Sequence, residues 1–335
     1  MKINERFKKI GIFVLFALAT YVVSFFAIKD ITIVNDDFSA ALATIDAINR
    51  DQSDKVIIFG SSMGREGIDQ KFIESELKNT KIYNLSISSG RPSDFYLLWH
   101  RIKNRDRIKL VLLTLSPWVF EKQYTKDIVS GNDPTTRIFF DQTALAEIIP
   151  AEKRSLWWLD AQITVLAMPW TGRSFDGKDI FDYIVNSFDS SFPKPAWQQY
   201  QYSENKPELY FSGIIADKAI WEEYGVSNFD WDAQANLQLK SLAKISESFD
   251  YEKIDFLIVG MPVNPVIKKL YGAGMEDEYR RAVIGSVGGK ADFLDFSSQY
   301  GKENFIDINH LNRQGREAFS RDLLLLFRKI LIHGS

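Results

Sequence analysis

The chain has 335 residues, 45% hydrophobic and 14% aromatic, with a formal net charge of -3. Such a composition supports a full core and is not that of a disordered chain. With no basic stripe after the first ten residues, nucleic acid is not expected as a partner. There are no cysteines, which excludes disulfides, thiol nucleophiles and cysteine-ligated zinc. His100, His310 and His333 are too few for a clustered histidine metal site, and neither a metal nor a cofactor is expected.

The first element in chain order is apolar. Lys2, Arg6, Lys8 and Lys9 lead into Ile10–Ile28, which contains no charge. At about 1.5 Å per residue this run nearly spans a hydrocarbon core of about 30 Å. The basic flank places the N-terminus in the cytoplasm and the remainder outside, in a periplasm or at a cell surface. A cleaved signal peptide is the alternative, but Phe25-Phe26-Ala27-Ile28-Lys29-Asp30 is a poor cleavage site. The expected organisation is a cytoplasmic flank (1–9), a single-pass membrane anchor (10–28), a polar, partly helical connector (29–54) and an extracytoplasmic domain (55–335).

Within that domain, short apolar runs between polar punctuation predict buried strands at Val56–Phe59, Ile82–Ile87, Leu110–Leu115, Ile254–Val259 and Phe293–Phe296. Helices are expected between them: Gln70–Lys78 capped by Asp69, Asp94–Lys103 capped by Ser93, one from Asp232 to about Phe249, and a last one from Asn312 to near Ile332. This alternation predicts an α/β fold, a mostly parallel five-stranded sheet covered on both faces. Residues 119–231 break the rhythm. They hold Trp157, Trp158, Trp170, Trp197, Trp221 and Trp231 and read as an insertion over the active edge of the sheet. Leu156–Trp170, with one charge, suits either a membrane or partner surface or a buried segment.

Three short segments carry the chemistry. Gly60-Ser61-Ser62-Met63-Gly64 follows the first strand, at the strand end where parallel sheets gather ligands. A serine there presents its hydroxyl to the crevice, and its amide near a helix start can stabilise an oxyanion. Asn84-Leu85-Ser86-Ile87-Ser88-Ser89-Gly90 ends the second strand; its glycine permits close backbone approach, or marks an ordinary turn. Asp307-Ile308-Asn309-His310 precedes the last helix. A serine hydroxyl needs a base to become a nucleophile, histidine is the usual one, and a carboxylate three residues away in a turn can fix its tautomer. The bland alternative is that Asp307 and His310 only cap the helix. Arg65 can hold an anionic carrier or phosphate, or simply be solvated. His100 sits on an expected surface helix, and His333 in the tail.

Together, Gly-x-Ser after the first strand and Asp-x-x-His before a C-terminal helix resemble the SGNH (GDSL-like) hydrolase pattern. The resemblance implies a three-layer α/β/α, flavodoxin-like sandwich with Ser62 as nucleophile, His310 as base and Asp307 as its orienter. It also implies oxyanion donors at the amides of Ser62 and of Gly90 or Ser89. The asparagine of the family's third block is missing, because that place reads Thr114-Leu115-Ser116-Pro117-Trp118. Either Ser116 substitutes or the hole has two donors, and losing one donor costs about 100- to 1000-fold in rate.

Met261-Pro262-Val263-Asn264-Pro265, Ala291–Ser298 and Asp307–Leu311 are similar to the tail of the D-alanyl transfer proteins of teichoic-acid D-alanylation, which also begin with a membrane helix. That kinship implies O-acyl transfer, or deacylation, on an extracytoplasmic glycan or cell-envelope polymer. It implies a membrane-bound O-acyltransferase as partner. The alternative is a catalytically weak scaffold that docks the polymer for such a partner, and a free-standing esterase is a third reading.

Overall fold

The computed structural model describes residues 15, 16, 19, 37–77, 79–122, 142–148, 229–233, 235–268, 271, 274–307 and 309–333. It is a mixed α/β fold around one parallel sheet of five strands: β1 (Asp54–Phe59), β2 (Thr80–Asn84), β3 (Ile108–Leu115), β4 (Asp255–Gly260) and β5 (Asp292–Asp295). The spatial order is β2-β1-β3-β4-β5, and every neighbouring pair is parallel. This is a doubly wound order, in which the chain reverses direction across the sheet beside the first strand.

The strands are apolar on both faces because both faces are covered. Ile57, Phe59, Val111, Leu113, Phe256 and Ile258 enter one buried cluster. Val56, Ile58, Leu110, Leu112, Leu257 and Val259 enter the other. That is the period-2 alternation of a pleated strand, with each face meeting helices. The first cluster takes residues from α1 (Asp37–Arg50), α4 (Pro92–Arg101), α6 (Leu237–Glu252) and α8 (Met275–Val287). The second takes them from α3 (Gln70–Glu76) and α9 (Arg313–His333). The remaining helices are short: α2 (Ser62–Gly67), α5 (Gln142–Ile148) and α7 (Pro265–Lys268).

Several boundaries differ from the sequence reading. Part of the expected connector is α1, whose Ala41, Ile45 and Ile48 belong to the core, so the domain begins well before residue 55. The regular part of β2 ends at Asn84, but Leu85 and Ile87 stay buried and their amides still donate to the carbonyls of Ile58 and Gly60, so the expected strand to Ile87 runs on as an irregular extension. Helix α6 starts at Leu237, because Asn236 accepts hydrogen bonds from the amides of Gln238 and Leu239 and so caps it in place of Asp232. Helix α4 starts at Pro92 with Arg91 as its cap residue, where Ser93 had been expected. His100 is not a bare surface residue: its ring packs edge-on against Tyr96, with centroids 4.6 Å apart.

The expected insertion leaves and rejoins the sheet at one place. Glu121 and Phe229 form an antiparallel bridge, and the amide of Asp230 donates to the carbonyl of Phe120. The stem thus follows β3 at the carboxyl edge of the sheet. Most of the insertion, including Leu156–Trp170, lies outside the described residues, as does the side chain of His333. So does the expected anchor apart from Leu15, Phe16 and Ala19. Among the described residues, no helix is long and apolar enough to cross a membrane.

Candidate active site

The site forms where β1 ends. Gly60 closes the strand, and the chain turns into α2. The two adjacent serines then separate in role. Ser61 caps α2, its hydroxyl accepting from the Met63 amide at 3.3 Å. Ser62 is the first helical residue, and its hydroxyl points away from the cap toward His310. Its amide is among those that a helix start leaves without an intrahelical partner.

The turn is built on close contacts that only glycine permits. A Cβ on Gly60 would lie 1.9 Å from the Thr114 hydroxyl, and one on Gly64 would lie 2.3 Å from it. Thr114, on β3, donates to the carbonyl of Phe59 at 3.2 Å. Gly67 faces Met261 and Leu311, so α2 rests directly on the loop after β4 and on the turn before α9.

His310 and Asp307 come from that last turn. The backbone closes on itself through the Ile306 amide, which donates to the carbonyl of His310, and through a bridge between Phe305 and Leu311. Asp307 Oδ1 accepts from the amides of Asn309 and His310, each at 2.7 Å. Its carboxylate also meets His310 Nδ1, at 2.8 Å from Oδ2 and 3.1 Å from Oδ1. On the far side of the ring, His310 Nε2 lies 2.9 Å from Ser62 Oγ. With the proton on Nδ1 facing the carboxylate, Nε2 accepts from the serine hydroxyl. Residues 248 positions apart in sequence therefore form one hydrogen-bonded chain.

The electrostatics suit that arrangement. Burial by itself pushes the Asp307 carboxyl up. The hydrogen bond and charge of His310, with the amides of Asn309 and His310, outweigh it and hold the carboxyl below its ordinary range. An ionised Asp307 is the form that steadies an imidazolium. The ring and the carboxylate are 23% and 28% exposed, so a small reactant can reach the pair.

The other expected residues are placed differently. Gly90 lies close beneath the serine turn, where a Cβ would meet the Gly60 carbonyl at 2.6 Å. Its amide, however, already donates to the carbonyl of Ile87 at 3.0 Å. Ser89 adopts a left-handed φ of 54°, an uncommon conformation for a non-glycine residue. Ser116 is buried, and its hydroxyl bonds to the Met63 sulfur at 3.1 Å. Arg65 is not a solvated side chain: it is 11% exposed, donates to the Ser88 hydroxyl at 2.9 Å and pairs with Glu66 at 3.0 Å. It ties α2 to the loop after β2 at the rim of the site.

Two asparagines without an assigned role in the sequence reading also support the site. Asn84 donates to the carbonyl of Gly64 and accepts from the amide of Ser86, joining the end of β2 to α2. Asn264, fully buried after β4, donates to the backbone carbonyl of Asp307 at 3.2 Å. An asparagine directly before a proline at the carboxyl end of a strand was the available signal.

One family model, which carries no functional description, matches residues 224–331, about a third of the chain. No curated protein matches the chain. Among solved structures, one provisionally described as a platelet activating factor from Streptococcus pneumonia is similar at 12% identity and a TM-score of 0.39. The likeness covers 92% of this chain and 99% of that one.

Proposed function

We propose that the chain is a serine-dependent O-acyl transfer or deacylation enzyme of SGNH-like type, working through an acyl-enzyme on Ser62. The observation that carries this reading is the hydrogen-bonded chain from Asp307 through His310 to Ser62 at the carboxyl edge of the sheet. In the proposed reaction, His310 Nε2 takes the Ser62 proton as Oγ attacks an ester or activated acyl carbonyl. The imidazolium, steadied by Asp307, then protonates the leaving oxygen. In the second half an acceptor hydroxyl, from a sugar or from water, gives its proton to His310 as its oxygen attacks the acyl carbonyl; the bond from that carbonyl to Ser62 Oγ breaks, and His310 returns the proton to Oγ. The amide of Ser62 supplies one oxyanion donor.

The remaining expectations belong to the same proposal. The uncharged run Ile10–Ile28, with Leu15 and Phe16 exposed at 69% and 72%, supports a membrane anchor with the enzyme domain outside. An envelope polymer is then the acceptor, and a membrane-bound O-acyltransferase the acyl source. The insertion stem at the carboxyl edge supports a role for that region in acceptor choice. A scaffold reading draws support from two bonds: Gly90 and Ser116 spend their candidate donors on Ile87 and Met63.

The test uses p-nitrophenyl acetate with the full chain in detergent. An acyl-enzyme releases a burst of about one equivalent of p-nitrophenol and leaves one acetyl group on Ser62. A folded protein that gives neither would be the scaffold.

A further inference from the structure

We infer that Asn264 is a positioning residue of this site, holding the Asp307–His310 turn in register with Ser62; this rests on the serine reading above. Ser62 is carried by β1, whereas Asp307 and His310 belong to a turn before α9. The turn's internal bonds fix its shape but not its place relative to the sheet. Hydrophobic contact supplies part of that placement, through Leu311 and Phe305 in the same cluster as Met63 and Met261. Such contact is non-directional, and a triad needs distances held to a few tenths of an ångström.

Asn264 supplies a directional link. Its Nδ2 donates to the carbonyl of Asp307, the residue whose side chain orients the imidazole. Its Oδ1 is occupied by the amide of Val266 at 3.0 Å, which fixes the amide plane and points the NH2 group at the turn. Asn264 is itself anchored on the sheet. The Met261 amide donates to the carbonyl of Leu115, at the end of β3, and the Val263 amide to that of Ser297, just beyond β5. A fully buried side chain with both ends satisfied has no freedom to let the turn drift.

The Val266 bond alone gives Asn264 an ordinary capping role, so the test must separate the two bonds. Asn264→Ser keeps an oxygen that can accept from Val266 but is too short to reach Asp307. The readout is the rate at which a fluorophosphonate probe labels Ser62 in the full chain, with the melting temperature measured on the same sample. The expected result is labelling per folded molecule slowed about 10- to 100-fold, as follows from a misplaced reacting pair, with melting lowered by a few degrees and the protein still folded at the labelling temperature. In a His310→Ala background, followed over a longer time, Asn264→Ser should slow labelling no further, because groups acting as a unit are not additive. Should Asn264→Ser not fold, Asn264→Thr decides. It keeps an oxygen that can accept from Val266, fills more of the buried space, cannot reach the Asp307 carbonyl, and is expected to label slowly. Wild-type labelling rates in a folded variant, or equal slowing with and without His310, would overturn the inference. A wild-type chain that the probe never labels would instead overturn the serine reading beneath it.

Discussion

The nucleophile turn depends on two glycines pressed against one hydroxyl, which makes Gly64→Ala an instructive perturbation. The new methyl would lie 2.3 Å from Thr114 Oγ1 and 3.1 Å from Ser86 Oγ, against an ordinary contact of 3.4 Å or more. Thr114 is on a central strand and 2% exposed, so the strand holds its place and α2 moves by about 1 Å. Overpacking of that kind costs about 1–3 kcal/mol of stability. The same shift carries Ser62, two residues earlier on α2, away from His310 Nε2. A displacement of about 1 Å costs about 100-fold in rate, well beyond the effect of partial unfolding.

Removing the obstructing hydroxyl should reverse much of this. Thr114→Ala alone loses the bond to the Phe59 carbonyl, a cost of about 1 kcal/mol. Combined with Gly64→Ala it leaves the new methyl 3.4 Å from the Thr114 Cβ position. The assay pairs fluorophosphonate labelling of Ser62 with thermal melting for the two single variants and the double. The double variant should label at least tenfold faster than Gly64→Ala. A Gly64→Ala protein that labels and melts like wild type, or a double variant no better than Gly64→Ala, would refute the steric account.

The adjacent serines should behave differently. Ser61→Ala removes the α2 cap at a cost of about 0.5–2 kcal/mol while retaining esterase turnover per folded molecule, and Ser62→Ala abolishes turnover with melting unchanged; the opposite pattern in a p-nitrophenyl acetate assay would exchange the assignments. The lowered carboxyl of Asp307 fixes the sign of a pH effect. A depressed folded pKa contributes stability that is present above the unfolded carboxylate value of about 3.9 and is lost as pH falls through the folded value. The melting gap between wild type and Asp307→Asn should therefore be full at neutral pH and close below about pH 4, and a gap constant with pH would contradict the depressed carboxyl.

Much of this architecture is legible in the residues themselves. Strands β1, β3 and β4 are short apolar runs because they are buried on both faces, and burial is what an apolar run records. Strand β2 is harder to delimit, since Leu85 and Ile87 remain buried and bonded to the carbonyls of Ile58 and Gly60 beyond its regular span. Helix α8, which the strand-and-helix reading above does not include, carries its own signal: Met275, Tyr279, Val283 and Val287 recur every four residues and are all buried. Helix α1 falls in the segment read as a partly helical connector; its small residues do not announce that Ala41, Ile45 and Ile48 enter the core.

In the site, the Asp307–His310 pair follows from local spacing, because a three-residue turn brings the two side chains together. The pairing of His310 with Ser62 comes from the family resemblance and not from spacing, and its geometry, like the fate of the donors, is visible only in the fold. Gly90's amide is consumed by a turn bond and Ser116's hydroxyl by a methionine sulfur. Sequence marks both as polar groups near a strand end but does not specify which neighbour satisfies them. The role of Asn264 is not legible in the sequence for the same reason, since its partner is a backbone carbonyl that carries no residue identity.

Activation of Ser62 by His310 can be read from the intact mass of the chain after treatment with a serine-directed phosphonate. One phosphonyl group per chain is expected, mapped to Ser62, absent in Ser62→Ala and formed far more slowly in His310→Ala. A folded wild-type chain that takes up no phosphonyl group, or a His310→Ala chain labelled at the wild-type rate, would contradict it.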